Sequence, residues 1–240
     1  MMRRLFFVFV ALQLCACGTP PGKPSRDTQV LSPDQVLDFP SLFEQNCAAC
    51  HGKDGDGGAA IPMSNPTYLA LVNPDALRRT IAQGVGGAPM PAFEQSAGGM
   101  LTTRQIDVIA SGIRSHWSKP GFLGGVKAPA YASTLSGDAD RGAADYKIFC
   151  ESCHGPSGRG GPKGSSIVDP AFLSLTSNQG LRTIVIVGRP DLGAPDWRTN
   201  VPGRAMSDQE VTDIVAWLSW QRPENMTHLN ATDRESRNAR

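Results

Sequence analysis

Four of the six cysteines fall into two pairs with the same spacing, Cys47/Cys50 and Cys150/Cys153, and a histidine directly follows each pair. The segments read Cys47-Ala-Ala-Cys50-His51-Gly52 and Cys150-Glu-Ser-Cys153-His154-Gly155. Two thiols at this spacing can cycle as a dithiol or supply two of the four ligands of a zinc ion. With an imidazole beside the second thiol they can instead add across the two vinyl groups of a porphyrin, leaving the imidazole to reach the iron from the proximal side. One copy with a chance histidine would leave these chemistries level. Two copies, each with histidine and then glycine in the same place, favour the porphyrin. Zinc would need two more ligands per site, and the only histidines outside the motifs are His116 and His228. The pattern therefore points to two covalently bound haem c groups. Cys47, Cys50, Cys150 and Cys153 would attach them, and His51 and His154 would be the proximal iron ligands.

The other two cysteines, Cys15 and Cys17, close the N-terminal apolar run. Arg3 and Arg4 precede Leu5–Leu14, which only Gln13 interrupts. That layout is a secretory signal, too short to span a bilayer comfortably. Leu14-Cys15-Ala16-Cys17 resembles a bacterial lipobox, which implies cleavage after residue 16 and acylation of Cys17; bulky Leu14 makes Cys15 the poorer site. An uncleaved anchor or lipid-free secretion is the alternative. Each buried CH₂ of an acyl chain contributes about 0.8 kcal/mol, so several chains give lasting anchorage. Haem c is attached outside the cytoplasm, which places the chain on the periplasmic side of a bacterial membrane. Gly18 after Cys17 carries no obvious inner-membrane retention signal and leans towards the outer membrane.

The elements that must hold these motifs occur twice. Cys47 and Cys150 lie 103 residues apart. At an offset of 104, Asn65-Pro66-Thr67-Tyr68-Leu69 aligns with Asp169-Pro170-Ala171-Phe172-Leu173, Gly84 with Gly188, Pro91 with Pro195 and Phe93 with Trp197. At 105, Ile106, Ile109 and Ile113 align with Val211, Ile214 and Leu218. Helix starts are expected at Ser32-Pro33, Asn73-Pro74, Thr102, Asp138, Ser177 and Ser207, each with a capping side chain. Gly84 and Gly188 should end the middle helices, and Val211, Ile214, Val215 and Leu218 form one buried stripe. The expected organisation is all-α. It comprises a signal peptide 1–16, a tether 17–31, helical domains 32–117 and 138–222 joined by a Gly- and Pro-bearing linker 118–137, and a polar tail 223–240. Gly and Pro, 26 and 19 residues, exceed the usual share but stay under the roughly 25–30% that marks low-complexity disorder. A net charge of +1 argues against an electrostatic nucleic-acid partner.

Residues 32–222 resemble tandem class I cytochrome c domains: helix, Cys-x-x-Cys-His, loop, short helix, a methionine-bearing loop, final helix. The resemblance implies that Gly142 lets the first and last helices of the second domain cross closely, with Tyr146 packing at the crossing. The first domain keeps the aromatic as Phe43 but has Phe39 where the glycine stands, so a looser crossing is expected there. It also implies that Met90, in Met90-Pro91-Ala92-Phe93, is the distal ligand of the first haem. Methionine sulfur favours reduced iron and raises its potential. The second domain departs from the pattern, because Ala194 stands opposite Met90 and cannot bind iron. Met206 is the nearest substitute, yet the repeat sets it opposite Leu101, so ligation through a rearranged loop and plain packing both stay open. Lys163, Met226 and His228 are weaker candidates.

The resemblance implies single-electron transfer among redox protein donors and acceptors, or within a membrane respiratory complex, and no catalytic residues. The alternative is a peroxidase-type enzyme working at an open second haem. That chemistry needs placed acid–base groups, and only Asp196 and Arg198 lie near Ala194 in the sequence.

Overall fold

A computed structural model describes residues 30–86 and 88–223. The signal segment, Cys17, most of the tether and the tail beyond Pro223 (with Met226 and His228) lie outside the described residues. The chain separates into Met1–Val36 and Leu37–Arg240. In the former, the described residues form one 3-10 turn, Pro33–Gln35, closed by the Ser32 N–H donating to Gln35 Oε1 at 3.0 Å. The helix expected from Ser32 therefore ends almost at once. Pro40 explains this, since proline inside a helix lacks an N–H and clashes with the carbonyl four residues back. The first helix starts instead at Asp38, whose carboxylate accepts from the Ser41 N–H at 3.0 Å.

Leu37–Arg240 contains the same helical sequence twice. The first set is α1 (Phe39–Asn46), α2 (Pro66–Leu71), α3 (Pro74–Gln83) and α4 (Thr103–Trp117). The second is α5 (Ala139–Phe149), α6 (Pro170–Leu175), α7 (Asn178–Val187) and α8 (Asp208–Trp220). A single helical turn follows α1 at Ala48–His51 and α5 at Glu151–His154. The described residues contain no β-strand, only isolated bridges, and none of their helices is long and apolar enough to cross a membrane. The fold is all-α. The expected caps at Asn73, Thr102, Asp138, Ser177 and Ser207 are in place. Helices α2 and α6 add two more, with Asn65 and Asp169 each accepting from the N–H groups two and three residues on.

In each set the last helix crosses the first. The stripe Ile106, Ile109 and Ile113 of α4, and its counterpart Val211, Ile214 and Leu218 of α8, are buried. At the second crossing, a Cβ on Gly142 would lie 2.0 Å from the Asp213 carbonyl oxygen, so the two backbones touch. At the first, the small residue is on the opposite helix: a Cβ on Gly112 would lie 2.1 Å from the ring of Phe39. Phe39 and Gly112 occupy the places of Gly142 and Trp217, so the large and small partners are exchanged. The indole moves five residues along the last helix, to Trp117, which packs edge-on to Phe43 as Trp217 stacks on Tyr146. An aromatic ring thus separates backbones in the first set that touch in the second.

The two sets meet along a polar seam. Asn65 Nδ2 donates to the Val187 carbonyl (3.3 Å), Thr67 Oγ1 to Asp196 Oδ2 (3.2 Å) and Arg189 Nη2 to the Gly58 carbonyl (2.9 Å). The connecting segment is not slack. Its Ala130 and Tyr131 carbonyls accept from Arg182 Nε and Gln179 Nε2, and the Ala130 N–H donates to Asp208.

Candidate haem sites

Each Cys-x-x-Cys-His motif sits where the first helix of its set ends and a new turn begins. Cys47 and Cys150 are C-caps, donating to the Phe43 and Tyr146 carbonyls at 2.8 Å. The His51 and His154 N–H groups then donate to Cys47 and Cys150 at 3.0 Å. A helical turn brings residues three apart onto one side, so the two thiols of each pair share a face. None of the four is in a disulfide. Burial, with the neighbouring Cys50 adding to it, pushes the Cys47 thiol up to about 12. Burial, then Cys153 and Asp145, does the same to Cys150. Burial also holds the His51 imidazole below its ordinary value, against a smaller opposing pull from the Ile61 carbonyl.

The imidazoles are oriented alike. His51 Nδ1 lies 2.8 Å from the Ile61 carbonyl oxygen and His154 Nδ1 lies 2.8 Å from that of Ser165. A carbonyl only accepts, so Nδ1 carries the proton and Nε2 keeps its lone pair for a metal. Nothing in the residue types at 61 and 165 announces this, because the acceptor is main chain. Only their equal place in the repeat could have found it.

The loops between the middle and last helices share several backbone hydrogen bonds. Gly84 and Gly188 end α3 and α7 at φ 68° and 66°, where a side chain would strike the following loop. Val85 N–H then donates to the Met90 carbonyl and Arg189 N–H to the Ala194 carbonyl, both at 3.0 Å. Phe93 N–H bonds Ile81 and Trp197 N–H bonds Ile186. Leu101 N–H returns to the Phe93 carbonyl, as Met206 N–H does to that of Trp197. Met90 and Ala194 therefore hold one structural position, and Leu101 and Met206 another. Met90 is half-buried, whereas protein atoms alone cover Met206 to 3% exposure.

The weaker candidates are placed as well. Lys163 directly precedes Gly164, whose Cβ position lies 2.8 Å from His154 Nδ1. Asp196 is paired with Arg198 (2.6 Å) and accepts from Thr67, which makes both parts of the seam. His116 bonds the Gly112 carbonyl and packs on Phe39 within the first set.

Two buried polar atoms beside the second loop, Trp197 Nε1 and Asn200 Oδ1, have no hydrogen-bond partner. Leaving a buried donor unpaired costs about 1–3 kcal/mol, a cost that a bound group carrying acceptors would relieve. Two thiols, one imidazole with a free Nε2 and an unpaired indole N–H suit a covalently held porphyrin bearing carboxylates.

Comparison with known proteins agrees. The profile of the family described as Cytochrome C oxidase, cbb3-type, subunit III, matches twice, over residues 34–110 and 137–218. The chain is 30% identical over 129 residues to the Cbb3-type cytochrome c oxidase subunit FixP of Sinorhizobium medicae, covering 50% of this chain and 39% of that protein. It is 25% identical over 186 residues to the Cytochrome bc1 complex cytochrome c subunit of Mycobacterium bovis, covering 74% of this chain and 60% of that protein. The aligned part thus spans about four to six tenths of these relatives. Each matched segment covers most of one copy of the repeated helical frame, and the chain belongs to the family described as Cytochrome C oxidase, cbb3-type, subunit III.

Proposed function

We propose that this cytochrome passes single electrons between redox partners on the periplasmic side of a bacterial membrane, held there by acylated Cys17 and working with a respiratory complex. A haem held at each site would supply one-electron redox chemistry. Cys47 and Cys50, and Cys150 and Cys153, would hold the porphyrins, His51 and His154 would offer Nε2 to the irons, and Met90 would offer its sulfur to the first. The observation that carries this reading is the doubling of one site in one chain. Both imidazoles are tied to a loop carbonyl at 2.8 Å, and the two loop systems meet where Arg189 bonds the Gly58 carbonyl. The respiratory setting is supported by the relatives' descriptions as oxidase and bc1 complex subunits.

The test is a potentiometric titration of the mature protein beside fractionation of cells producing Cys17→Ser. Two reversible one-electron steps are expected, with the parent chain in the membrane fraction and the variant released from it. Retention of Cys17→Ser in the membrane would remove the lipid anchor, and a missing electron step would remove the two-centre carrier.

A further inference from the structure

Resting on the two-haem reading, we infer that the second haem's distal coordination position receives no protein ligand from the loop that supplies one to the first, and is open to a small exogenous ligand of the carbon monoxide class. Each loop begins with a glycine packed against the equivalent carbonyl and with an equivalent hydrogen bond, which makes position 194 the counterpart of Met90. Arg189 N–H bonds the Ala194 carbonyl as Val85 N–H bonds that of Met90. A methyl group has no lone pair to offer iron. The sulfur nearest in sequence, Met206, holds the place of Leu101: its N–H bonds the Trp197 carbonyl, it directly precedes the Ser207 cap, and protein atoms cover it. Covered by protein atoms in the place of Leu101, that side chain is packed as a core residue.

The loop is also held from outside, which opposes its rearrangement. Asp196 accepts from Thr67 and Arg198, and Arg189 bonds the Gly58 carbonyl. Gly164, the residue after Lys163, packs against His154 Nδ1. The buried unpaired Trp197 N–H is three residues from Ala194, where the first loop has Phe93. Polarity and hydrogen-bond donors around an open iron decide what it binds, so the two positions differ in character as well as occupancy.

The experiment uses the full-length mature protein with its haem content counted first. The reduced protein is titrated with carbon monoxide while the Soret band is followed, and the oxidised protein is studied by electron spin resonance. Two covalent haems are expected, one binding carbon monoxide per chain and one high-spin signal. Ala194→Met should abolish both responses, and Met206→Leu should leave both unchanged. Met90→Leu should raise carbon monoxide binding to two per chain. Two haems that are both low-spin and inert to carbon monoxide would overturn the inference and leave the haem reading standing, whether the ligand came from Met206 or from the tail residues Met226 and His228. A rise in carbon monoxide binding in Met206→Leu would overturn it too, by identifying Met206 as a ligand. Fewer than two haems would overturn the underlying reading itself.

Discussion

The imidazole tautomer is the smallest decision on which the chemistry depends. Main-chain carbonyls at 61 and 165 take the Nδ1 protons, so orientation is independent of any side chain that mutation could remove. The thiols, imidazoles and Met90 are legible in the sequence because their chemistry lies in residue type and spacing. The acceptors are not, since every residue carries a carbonyl. Two outcomes are expected at this scale. Met90→Leu should lower the midpoint of the first haem and erase its sulfur-to-iron charge-transfer band, leaving the second midpoint in place; an unchanged band would remove Met90 as a ligand. Trp197→Phe, which copies the first set, removes the buried N–H that lacks a partner. It should shift only the second haem's midpoint in a redox titration. Equal shifts at both haems, or none, would mean the indole serves packing alone.

Between helices, the repeat preserves volume rather than residue identity. Gly142 is readable as a close-approach glycine, but its counterpart is not. The exchange of Phe39 and Gly112 for Gly142 and Trp217 shows only when both helices are seen together. The short turn at Ser32 has a similar origin: the cap is sound, but Pro40 forbids the longer helix that the cap would open. Gly142→Ala and Gly112→Ala should each destabilise by about 1–3 kcal/mol through overpacking. Trimming Phe39 to Ala should relieve the Gly112 variant, because the obstacle there is a side chain. No truncation relieves Gly142→Ala, whose obstacle is the Asp213 carbonyl. Denaturant titrations of these variants, alone and combined, read this as coupling in one case and none in the other.

The crossing of α5 and α8 also holds a buried carboxylate. Asp213, 2% exposed in its side chain, accepts from the Asp138 N–H (2.7 Å), Arg141 Nε (2.8 Å) and Gln209 Nε2 (3.0 Å). Burial alone would raise its pKa, but these donors outweigh burial and hold it below the ordinary 3.8. A carboxyl depressed in the folded state contributes stability above pH 3.8, which is lost as pH falls through the folded value. Asp213→Asn should therefore cost about 1–3 kcal/mol at pH 7 and less at a pH acid enough to protonate the parent carboxyl. Equal losses at both pH values would show that the charge does not matter.

For the whole molecule, the sequence makes the repeat legible as two copies of one unit, but not the seam between them. In the sequence Asn65 and Thr67 are repeat positions and Asp196 and Arg189 are polar groups near Ala194, yet they join the two sets. The Gly- and Pro-bearing linker is likewise fastened by Arg182, 4% exposed, which bonds the Ala130 carbonyl, Thr212 and Asp208. Arg182→Ala should cost about 1–3 kcal/mol and expose residues 118–137 to limited proteolysis that leaves the parent intact. Unchanged cleavage would mean that other contacts hold the segment.

The central claim is that two porphyrins are joined to this chain by four thioether bonds. Mass measurement of the denatured mature polypeptide, purified from a host able to install haem c, tests it most directly. Two added haem groups are expected in the parent. One is expected when Cys47 and Cys50 are both replaced by Ala, and one when Cys150 and Cys153 are. A bare polypeptide, or a parent carrying a single haem, would contradict it.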